Sequence, residues 1–174
     1  VKVETSWGAG AAVKSDAEGR WAVSVRTPAG SYEPQRITFA SGDRVTFDRV
    51  LIGEVWFAGG QSNMEMPLGG FWQCPVTDAN EIIARADAKS GKLHYVKIPH
   101  AAAYTPQDRT AGSWTPCTTA TAAKFTAAGY FFAEMLNDVL GVPVGIIDCS
   151  WGGSRVESWM SREVLSGYSD IDLT

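Results

Sequence analysis

Two apolar segments that each end in a pair of glycines constrain the fold of this chain more than any other feature. The first, "VLIGEVWFA" (50–58), is followed by "GGQS" (59–62). The second, "VPVGIIDCS" (142–150), is followed by "WGGS" (151–154). Near-continuous apolar runs of this length are typical of strands covered on both faces in a parallel sheet. If the two strands are parallel and close, their glycine loops converge where open sheets bind ligands.

Ser62 follows the first pair of glycines, and this position has two interpretations. A serine beside free backbone N–H groups from Gly152 and Gly153 is the arrangement that acyl transfer requires, because those donors stabilise the negative oxygen of a tetrahedral intermediate. Glycine suits such a site because it lets the backbone approach a ligand closely. The alternative is that both loops are no more than tight turns between a strand and a helix.

Other motifs that would explain a serine after a strand are absent. A nucleophile elbow requires G-x-S-x-G, and the last position is occupied by Met64. A phosphate-binding loop requires Gly-Lys-Ser or Gly-Lys-Thr, which the chain lacks, and it contains no G-x-G-x-x-G.

The first part of the chain, 1–48, has the pattern of an antiparallel β module. The segment "RWAVSVRTP" (20–28) alternates between apolar and other residues, which predicts a strand. The segment "QRITFASGDRVTF" (35–47) predicts two strands joined by a turn at 41–43, since glycine readily adopts the backbone angles of tight turns.

From residue 49 the pattern changes to α/β, and we predict a second domain over 49–174. Open α/β sheets usually have about five or six strands, and fewer are predicted here, so the chain is interpreted as a piece of a longer polypeptide. The predicted elements are a strand at 50–58, a helix from Asp78 to about Ala88, a strand at 92–98, a helix from about Ala122 to Leu140, and a strand at 142–149.

Charge and composition exclude several functional classes. The net charge is −4 and there is no basic run, which argues against a nucleic-acid partner and against anionic membrane surfaces. No apolar stretch approaches the roughly 20 residues of a membrane span. Two histidines and three cysteines without a C-x-x-C pair argue against structural zinc. The cysteines are interpreted as free buried thiols, with one disulfide left open.

Seven tryptophans are many for a chain of 174 residues. We expect most of them to lie in the core. The alternative is that some stack on a sugar ring or another flat ligand.

The segments "GEVWFAGGQSNMEMPL" (53–68) and "GVPVGIIDCSWGGSRVESWM" (141–160) resemble the sialate O-acetylesterase family, within the SGNH hydrolase superfamily. The family's Gly-Gln-Ser-Asn-Met block matches residues 60–64, which implies Ser62 as the nucleophile. Its later block is matched by Trp151, Gly152, Gly153, Glu157 and Trp159. This second match implies Gly153 or Gly152 as an oxyanion-hole donor, with the backbone N–H of Ser62 as the other.

The resemblance covers nearly the whole chain and implies its architecture. Residues 49–174 would be the N-terminal portion of a three-layer, flavodoxin-like SGNH hydrolase core, preceded by part of an antiparallel β-sandwich at 1–48. The implied activity is hydrolysis of O-acetyl esters of sialic acid or related sugars, or of acetylated xylan, without a metal or organic cofactor. An extracytoplasmic location is implied as well.

The chain departs from the family pattern at its far end. Family members continue with a further block and then an Asp…His pair, whereas this sequence stops at Thr174. A serine needs a general base to remove its proton. The chain offers only His94 and His100, and neither matches the family's histidine. We therefore expect the Asp and His to come from a companion polypeptide of the same precursor, or to be lost.

Polar side chains around the two loops are candidates for contact with substrate or for support of the site: Gln61, Asn63, Glu65, Arg155 and Glu157. Glu65 could enter the site, but a structural role at the following turn is favoured. Arg155 and Glu157 could meet substrate or form an ion pair that fixes the loop. Asp148 is either a buried hydrogen-bonding acid or part of the cleft.

Two other functional classes remain open from the sequence. A carbohydrate-binding module without catalysis would explain the β strands, the tryptophans and the missing histidine, but not a serine beside N–H donors. A structural fragment that is stable only when docked on the rest of its parent would expose apolar surface and an open sheet edge.

Overall fold

In a computed structural model, the chain is described over residues 1–103 and 105–171. Tyr104 and residues 172–174, the last of the predicted 49–174 domain, lie outside the described residues. The predicted mixed α/β class is confirmed. The described chain forms two four-stranded sheets and four α-helices. The three-layer SGNH core and the β-sandwich stay predictions.

The first sheet is antiparallel and has the order β2-β1-β3-β4. Its strands are β1 (Lys2–Thr5), β2 (Gly10–Ala12), β3 (Ser31–Ser41) and β4 (Asp43–Ile52). The predicted hairpin is confirmed, because Gly42 turns the chain between β3 and β4 with a φ of 80°.

The predicted strand at 20–28 is wrong. This segment forms no backbone hydrogen-bond ladder with the sheet. It is attached instead through a side chain and a backbone carbonyl. The Trp21 ring lies 5.7 Å from that of Phe39, and Trp7 Nε1 donates to the Arg26 carbonyl at 2.9 Å. The alternation of apolar and other residues therefore belongs to a segment that lies on the sheet and is not one of its strands.

The apolar run at 50–58 is two strands rather than one. Residues up to Ile52 belong to β4, and β5 (Glu54–Ala58) belongs to the second sheet. Gly53 separates them, where a Cβ atom would collide with the Pro143 carbonyl, so only glycine fits this close approach. Strand β4 crosses the predicted boundary between residues 48 and 49, and the division into two domains stays a prediction.

The second sheet has the order β5-β8-β6-β7. Strands β5, β8 (Val144–Asp148) and β6 (Leu93–Lys97) are parallel, and the short β7 (Thr115–Pro116) is antiparallel to β6. The two strands that carry glycine loops are therefore direct parallel neighbours, which is the condition under which their loops were expected to converge. Their ends are level, because Ala58 lies opposite Asp148.

Strand β5 is an edge strand, and the prediction that it is covered on both faces is wrong. Val55 is 60% exposed and Phe57 is 66% exposed. Within the described chain β5 pairs only with β8. On the face opposite Val55 and Phe57, the Trp56 ring lies 5.1 Å from that of Phe132 in a helix. The apolar run thus shows that the strand is rich in apolar residues. It does not show whether other elements cover them.

The helices are α1 (Ser62–Glu65), α2 (Ala79–Ala84), α3 (Ala127–Leu140) and α4 (Arg162–Leu165), with single 3₁₀ turns at Ala86–Lys89, Ala122–Lys124 and Val156–Trp159. The predicted helix at 122–140 is interrupted at Phe125, whose backbone is extended. The Thr126 side chain caps α3 by accepting the Gly129 N–H, and Gly141 ends it with a φ of 66°.

The core lies between the second sheet and α3. Its largest fully buried side chains include Tyr130, Phe125, Leu68, Leu93 and Ile146. The expectation that most tryptophans lie in this core is wrong, because none of the seven is buried. Trp21 and Trp56 each contact one aromatic neighbour and stay partly exposed, at 40% and 44%. No helix in the described ranges is long and apolar enough to cross a membrane.

All three cysteines are free: Cys74 is exposed, Cys149 is half-buried and Cys117 is buried. Burial and the nearby Glu134 raise the pKa of the Cys117 thiol from 9.0 to about 11. Because the folded state resists losing this proton, the contribution of Cys117 to stability is complete below pH 9.0 and is lost as the pH rises towards about 11.

We expect replacement of Cys117 by alanine to remove this pH dependence. Two pH units correspond to about 3 kcal/mol of free energy of unfolding, which the wild type should lose between pH 9 and pH 11 relative to Cys117→Ala. Urea unfolding at pH 8, 9, 10 and 11 measures the difference. Cys74→Ala is the matched control and should follow the wild type; parallel curves for the wild type and Cys117→Ala would refute the assignment.

Candidate active site

The structure brings the two glycine loops together at the carboxyl ends of β5 and β8. The Cys149 N–H donates to the Ala58 carbonyl at 2.9 Å, and the Trp151 N–H donates to the Gly60 carbonyl at 2.8 Å. A Cβ atom placed on Gly152 would lie 3.7 Å from the Ser62 Cα. The second loop therefore packs directly against the start of α1.

Ser62 is the first residue of α1 and is exposed. Its Oγ donates to the Gln61 side-chain Oε1 at 3.0 Å. Gly60 makes the turn into this helix with a φ of 150°, and a Cβ atom there would lie 3.1 Å from Met64 Cβ. The hydroxyl is thus presented to solvent at the end of the strand, with an amide oxygen rather than a base as its partner.

The two predicted glycine donors differ in their contacts. The Gly152 N–H donates to Glu65 Oε2 at 2.6 Å, so it is not free for a substrate oxygen. Gly153 has a φ of 77°, and no acceptor for its N–H occurs in the part of the chain that the structure describes. The oxyanion hole stays a prediction, and Gly153 is the glycine whose N–H is available for it.

A cluster of polar side chains lies beneath the second loop and is called the polar cluster below. Its members are Glu65, Lys97, His100, Asp148 and Ser150. Asp148, at 2% exposure, accepts from the Ser150 N–H at 3.0 Å and from the Ser150 hydroxyl at 2.5 Å. Lys97 Nζ lies 3.2 Å from Asp148 Oδ2 and donates to the Ser150 hydroxyl at 3.0 Å. Asp148 is therefore the buried hydrogen-bonding acid of the two alternatives.

His100 belongs to this cluster and does not contact Ser62. Its Nε2 lies 2.9 Å from Glu65 Oε1 and 3.0 Å from the Ser150 carbonyl oxygen. Both neighbours are acceptors, so Nε2 carries a proton and donates. The ring also stacks on Trp151, with centroids 4.3 Å apart and an interplanar angle of 3°. These contacts give His100 a supporting role. Among the described residues, no hydrogen bond joins a ring nitrogen of His100 to the Ser62 hydroxyl.

His94 lies elsewhere, in a groove of about 730 Å³ that also includes Arg49 and Trp114. Burial, together with the charge of Arg49, lowers the pKa of the His94 imidazole. Neither glycine loop lines this groove. Within the described residues, neither histidine is therefore positioned as the base for Ser62.

The remaining candidates make few contacts. Asn63 and Arg155 are exposed, and Glu157 is half-buried. No ion pair joins Arg155 to Glu157 over the described ranges. The loop is fixed instead by the Ser154 hydroxyl, which donates to the Trp151 carbonyl at 2.7 Å and accepts from Trp159 Nε1 at 2.9 Å. No group of three or more metal-ligating side chains occurs among the residues described.

Comparison with known proteins gives the family. No protein-family model matches the chain. It is 31% identical over 122 residues to the sialate O-acetylesterase of Rattus norvegicus, which covers 67% of this chain and 22% of that protein. The human protein of the same name is 30% identical over 123 residues, covering 67% of this chain and 23% of that protein. The chain belongs to the sialate O-acetylesterase family.

A solved structure of a carbohydrate acetylesterase from Xanthomonas citri agrees with this assignment. It is 38% identical to the chain with a TM-score of 0.85, and the match covers 95% of this chain and 37% of that one. The chain thus spans less than a quarter of the length of the curated sialate O-acetylesterases it matches.

Sequence reasoning did not identify Lys97 or Ser150, nor the contact between Glu65 and Gly152. One signal was available, because Glu65 lies three residues after Ser62 and so shares its face of the helix. The partners of Glu65 could not be read in the same way, since Gly152 lies 87 residues away along the chain.

Proposed function

We propose that this protein is a serine-type carbohydrate O-acetylesterase with Ser62 as its nucleophile. The observation that carries the proposal is the convergence of an exposed serine hydroxyl and the unpartnered Gly153 N–H at the ends of two neighbouring parallel strands. The family and the carbohydrate acetylesterase neighbour support the reaction class.

In the proposed reaction, Ser62 Oγ attacks the carbonyl carbon of an acetyl ester. The negative oxygen of the tetrahedral intermediate accepts hydrogen bonds from the Gly153 N–H and from the Ser62 N–H, whose bond to Gln61 Oε1 is long, at 3.5 Å. Collapse breaks the bond between the carbonyl carbon and the sugar oxygen, which takes up the proton that Ser62 lost and leaves as a hydroxyl, while the acetyl group stays on Ser62. Water then attacks this acetyl-enzyme and releases acetate. Each half-reaction moves one proton through a general base and acid.

The base is proposed to lie beyond the described residues, since neither His94 nor His100 contacts Ser62. A histidine with its aspartate, supplied by a companion polypeptide of the same precursor, would complete the triad. An O-acetylated sialic acid is the proposed substrate, with acetylated xylan as the alternative, and an extracytoplasmic location is proposed with it.

Covalent labelling tests this proposal directly. The natively produced protein is treated with a fluorophosphonate and digested, and the mass of the peptide containing Ser62 is measured. We expect one adduct on Ser62, and prior labelling should block acetate release from O-acetylated sialic acid. Unmodified Ser62 in a preparation that still releases acetate would reject the proposal. Comparison of acetate release from acetylated xylan distinguishes the two substrates.

The second candidate function is sugar binding without catalysis, and Trp72 favours it. This side chain is 89% exposed and lies in a tight turn closed by two hydrogen bonds between the backbones of Phe71 and Cys74. Such a ring could stack on a sugar. In that case the protein would bind O-acetylated sugars, lose binding in Trp72→Ala, and show neither labelling of Ser62 nor acetate release.

A further inference from the structure

Glu65 is the last residue of α1, and its carboxylate is directed away from solvent. The side chain is 22% exposed. Oε2 accepts the Gly152 N–H at 2.6 Å, while Oε1 lies 2.9 Å from His100 Nε2 and 3.7 Å from Lys97 Nζ. Each carboxylate oxygen therefore has its own partner, and one of these partners is the backbone of the opposite glycine loop.

The Glu65 carboxylate packs tightly against the Gly152 backbone. A Cβ atom on Gly152 would lie 2.5 Å from Glu65 Oε2, well inside van der Waals contact. A hydrogen bond from an amide to an ionised carboxylate is shorter and stronger than one between neutral groups. The bond between these residues thus fixes the second loop at a set distance from α1, which begins at Ser62.

We propose that Glu65 is a positioning residue of the esterase site, which joins the nucleophile helix to the glycine loop and orients the Gly153 N–H towards the acyl oxygen. By holding the Gly152 N–H, the carboxylate fixes the peptide plane that precedes Gly152. The next peptide, which carries the Gly153 N–H, is then left facing the open side with no acceptor from the described chain. This inference rests on the proposed function of Ser62.

The role predicts a specific kinetic signature. An N–H that binds the oxyanion acts in the transition state and hardly at all in the ground state, so its misalignment lowers kcat and leaves KM nearly unchanged. Loss of one oxyanion donor costs about 10²-fold to 10³-fold in kcat. A Glu65 that merely stabilised the fold would instead lower the fraction of active protein, and would leave the kcat per labelled serine unchanged.

The test compares three variants of the natively produced protein. We expect Glu65→Ala to lower kcat per labelled Ser62 by about 10²-fold with KM within about twofold. Glu65→Gln keeps an oxygen that can accept the Gly152 N–H, so it should recover at least part of that loss. Glu81→Ala removes an exposed carboxylate from α2 and is the matched control. A kcat in Glu65→Ala equal to that of the control would overturn the proposal.

If Glu65→Ala does not fold, an NMR measurement on Glu65→Gln tests the positioning role. The amide proton of Gly152 should resonate downfield in the wild-type NMR spectrum, because it is donated to a carboxylate, and should move upfield in Glu65→Gln. A Gly152 resonance that is unchanged in Glu65→Gln would show that the carboxylate does not hold this N–H and would overturn the proposal.

The two proposals fail differently. If Ser62 is labelled and Glu65→Ala retains full kcat, the positioning role alone is rejected. If Ser62 is not labelled and acetate release continues, the proposed nucleophile is rejected, and the positioning role, which depends on it, is rejected with it.

Discussion

Replacement of Ser62 by alanine is expected to abolish acetate release from O-acetylated sugars. This hydroxyl is the group that forms the acetyl-enzyme in the proposed mechanism. Loss of a serine nucleophile typically lowers kcat by about 10⁴-fold or more, and the residual rate comes from the remaining donors and from binding. The side chain is exposed and its single hydrogen bond is to its neighbour Gln61, so the fold should tolerate the change.

The measurement is the initial rate of acetate release by Ser62→Ala and by Ser166→Ala. Ser166 is the matched control, because its hydroxyl bonds only to the Glu163 carbonyl at the end of α4. Affinity for a non-hydrolysable sugar analogue is measured for both variants and should stay within about twofold of the wild type. Ester hydrolysis that survives in Ser62→Ala would show that another group is the nucleophile.

The elements that local signals specify could be predicted from the sequence. Gly141 ends α3 in the left-handed conformation that glycine adopts without strain, and Gly42 turns a hairpin for the same reason. In each case the information lies in a few adjacent residues.

Features that depend on distant partners could not be predicted. Alternation of the kind at 20–28 fits a segment that lies on a sheet, and it fits equally well a strand that belongs to the sheet. The apolar composition of β5 gives no information about the exposure of Val55 and Phe57, which is set by what packs on the strand. The exposure of the tryptophans, 40% at Trp21 and 89% at Trp72, is likewise set by what packs around each side chain.

The polar cluster that supports the site could not be predicted from the sequence, for the same physical reason. Lys97, Asp148 and Ser150 meet because β6 and β8 are paired in parallel with Lys97 opposite Asp148. The position of Asp148 at the end of an apolar strand left two alternatives open. The register of the sheet decides between them by giving its carboxylate buried partners.

Replacement of Asp148 by alanine is expected to lower the free energy of unfolding by about 3 kcal/mol. The carboxylate accepts the Ser150 N–H, the Ser150 hydroxyl and the Lys97 ammonium, and it is 2% exposed. Its removal leaves these donors without their acceptor and leaves a cation at a partly buried position. Lys97 is 36% exposed, so water reaches it and the expected cost lies at the lower end for a broken buried ion pair.

Urea unfolding of Asp148→Ala, Asp148→Asn and Asp138→Ala measures this effect. The asparagine keeps an oxygen for the Ser150 hydroxyl but loses the charge, so its stability should lie between those of the wild type and the alanine variant. Asp138 is the matched control: it also pairs with a lysine, Lys89, but its side chain is 64% exposed, and its removal should cost less than about 1 kcal/mol. Equal costs for Asp148→Ala and Asp138→Ala would show that the polar cluster does not stabilise the fold.

The Asp148 variants also test whether stability and site geometry are coupled. Ser150 directly precedes the loop that carries Gly152 and Gly153, and the Asp148 carboxylate holds both its N–H and its hydroxyl. Once this anchor is lost, the loop can shift relative to Ser62 even in molecules that remain folded. We therefore expect Asp148→Ala to lower kcat per labelled serine as well as the free energy of unfolding. A kcat per labelled serine equal to that of Asp138→Ala would place the role of Asp148 in folding alone.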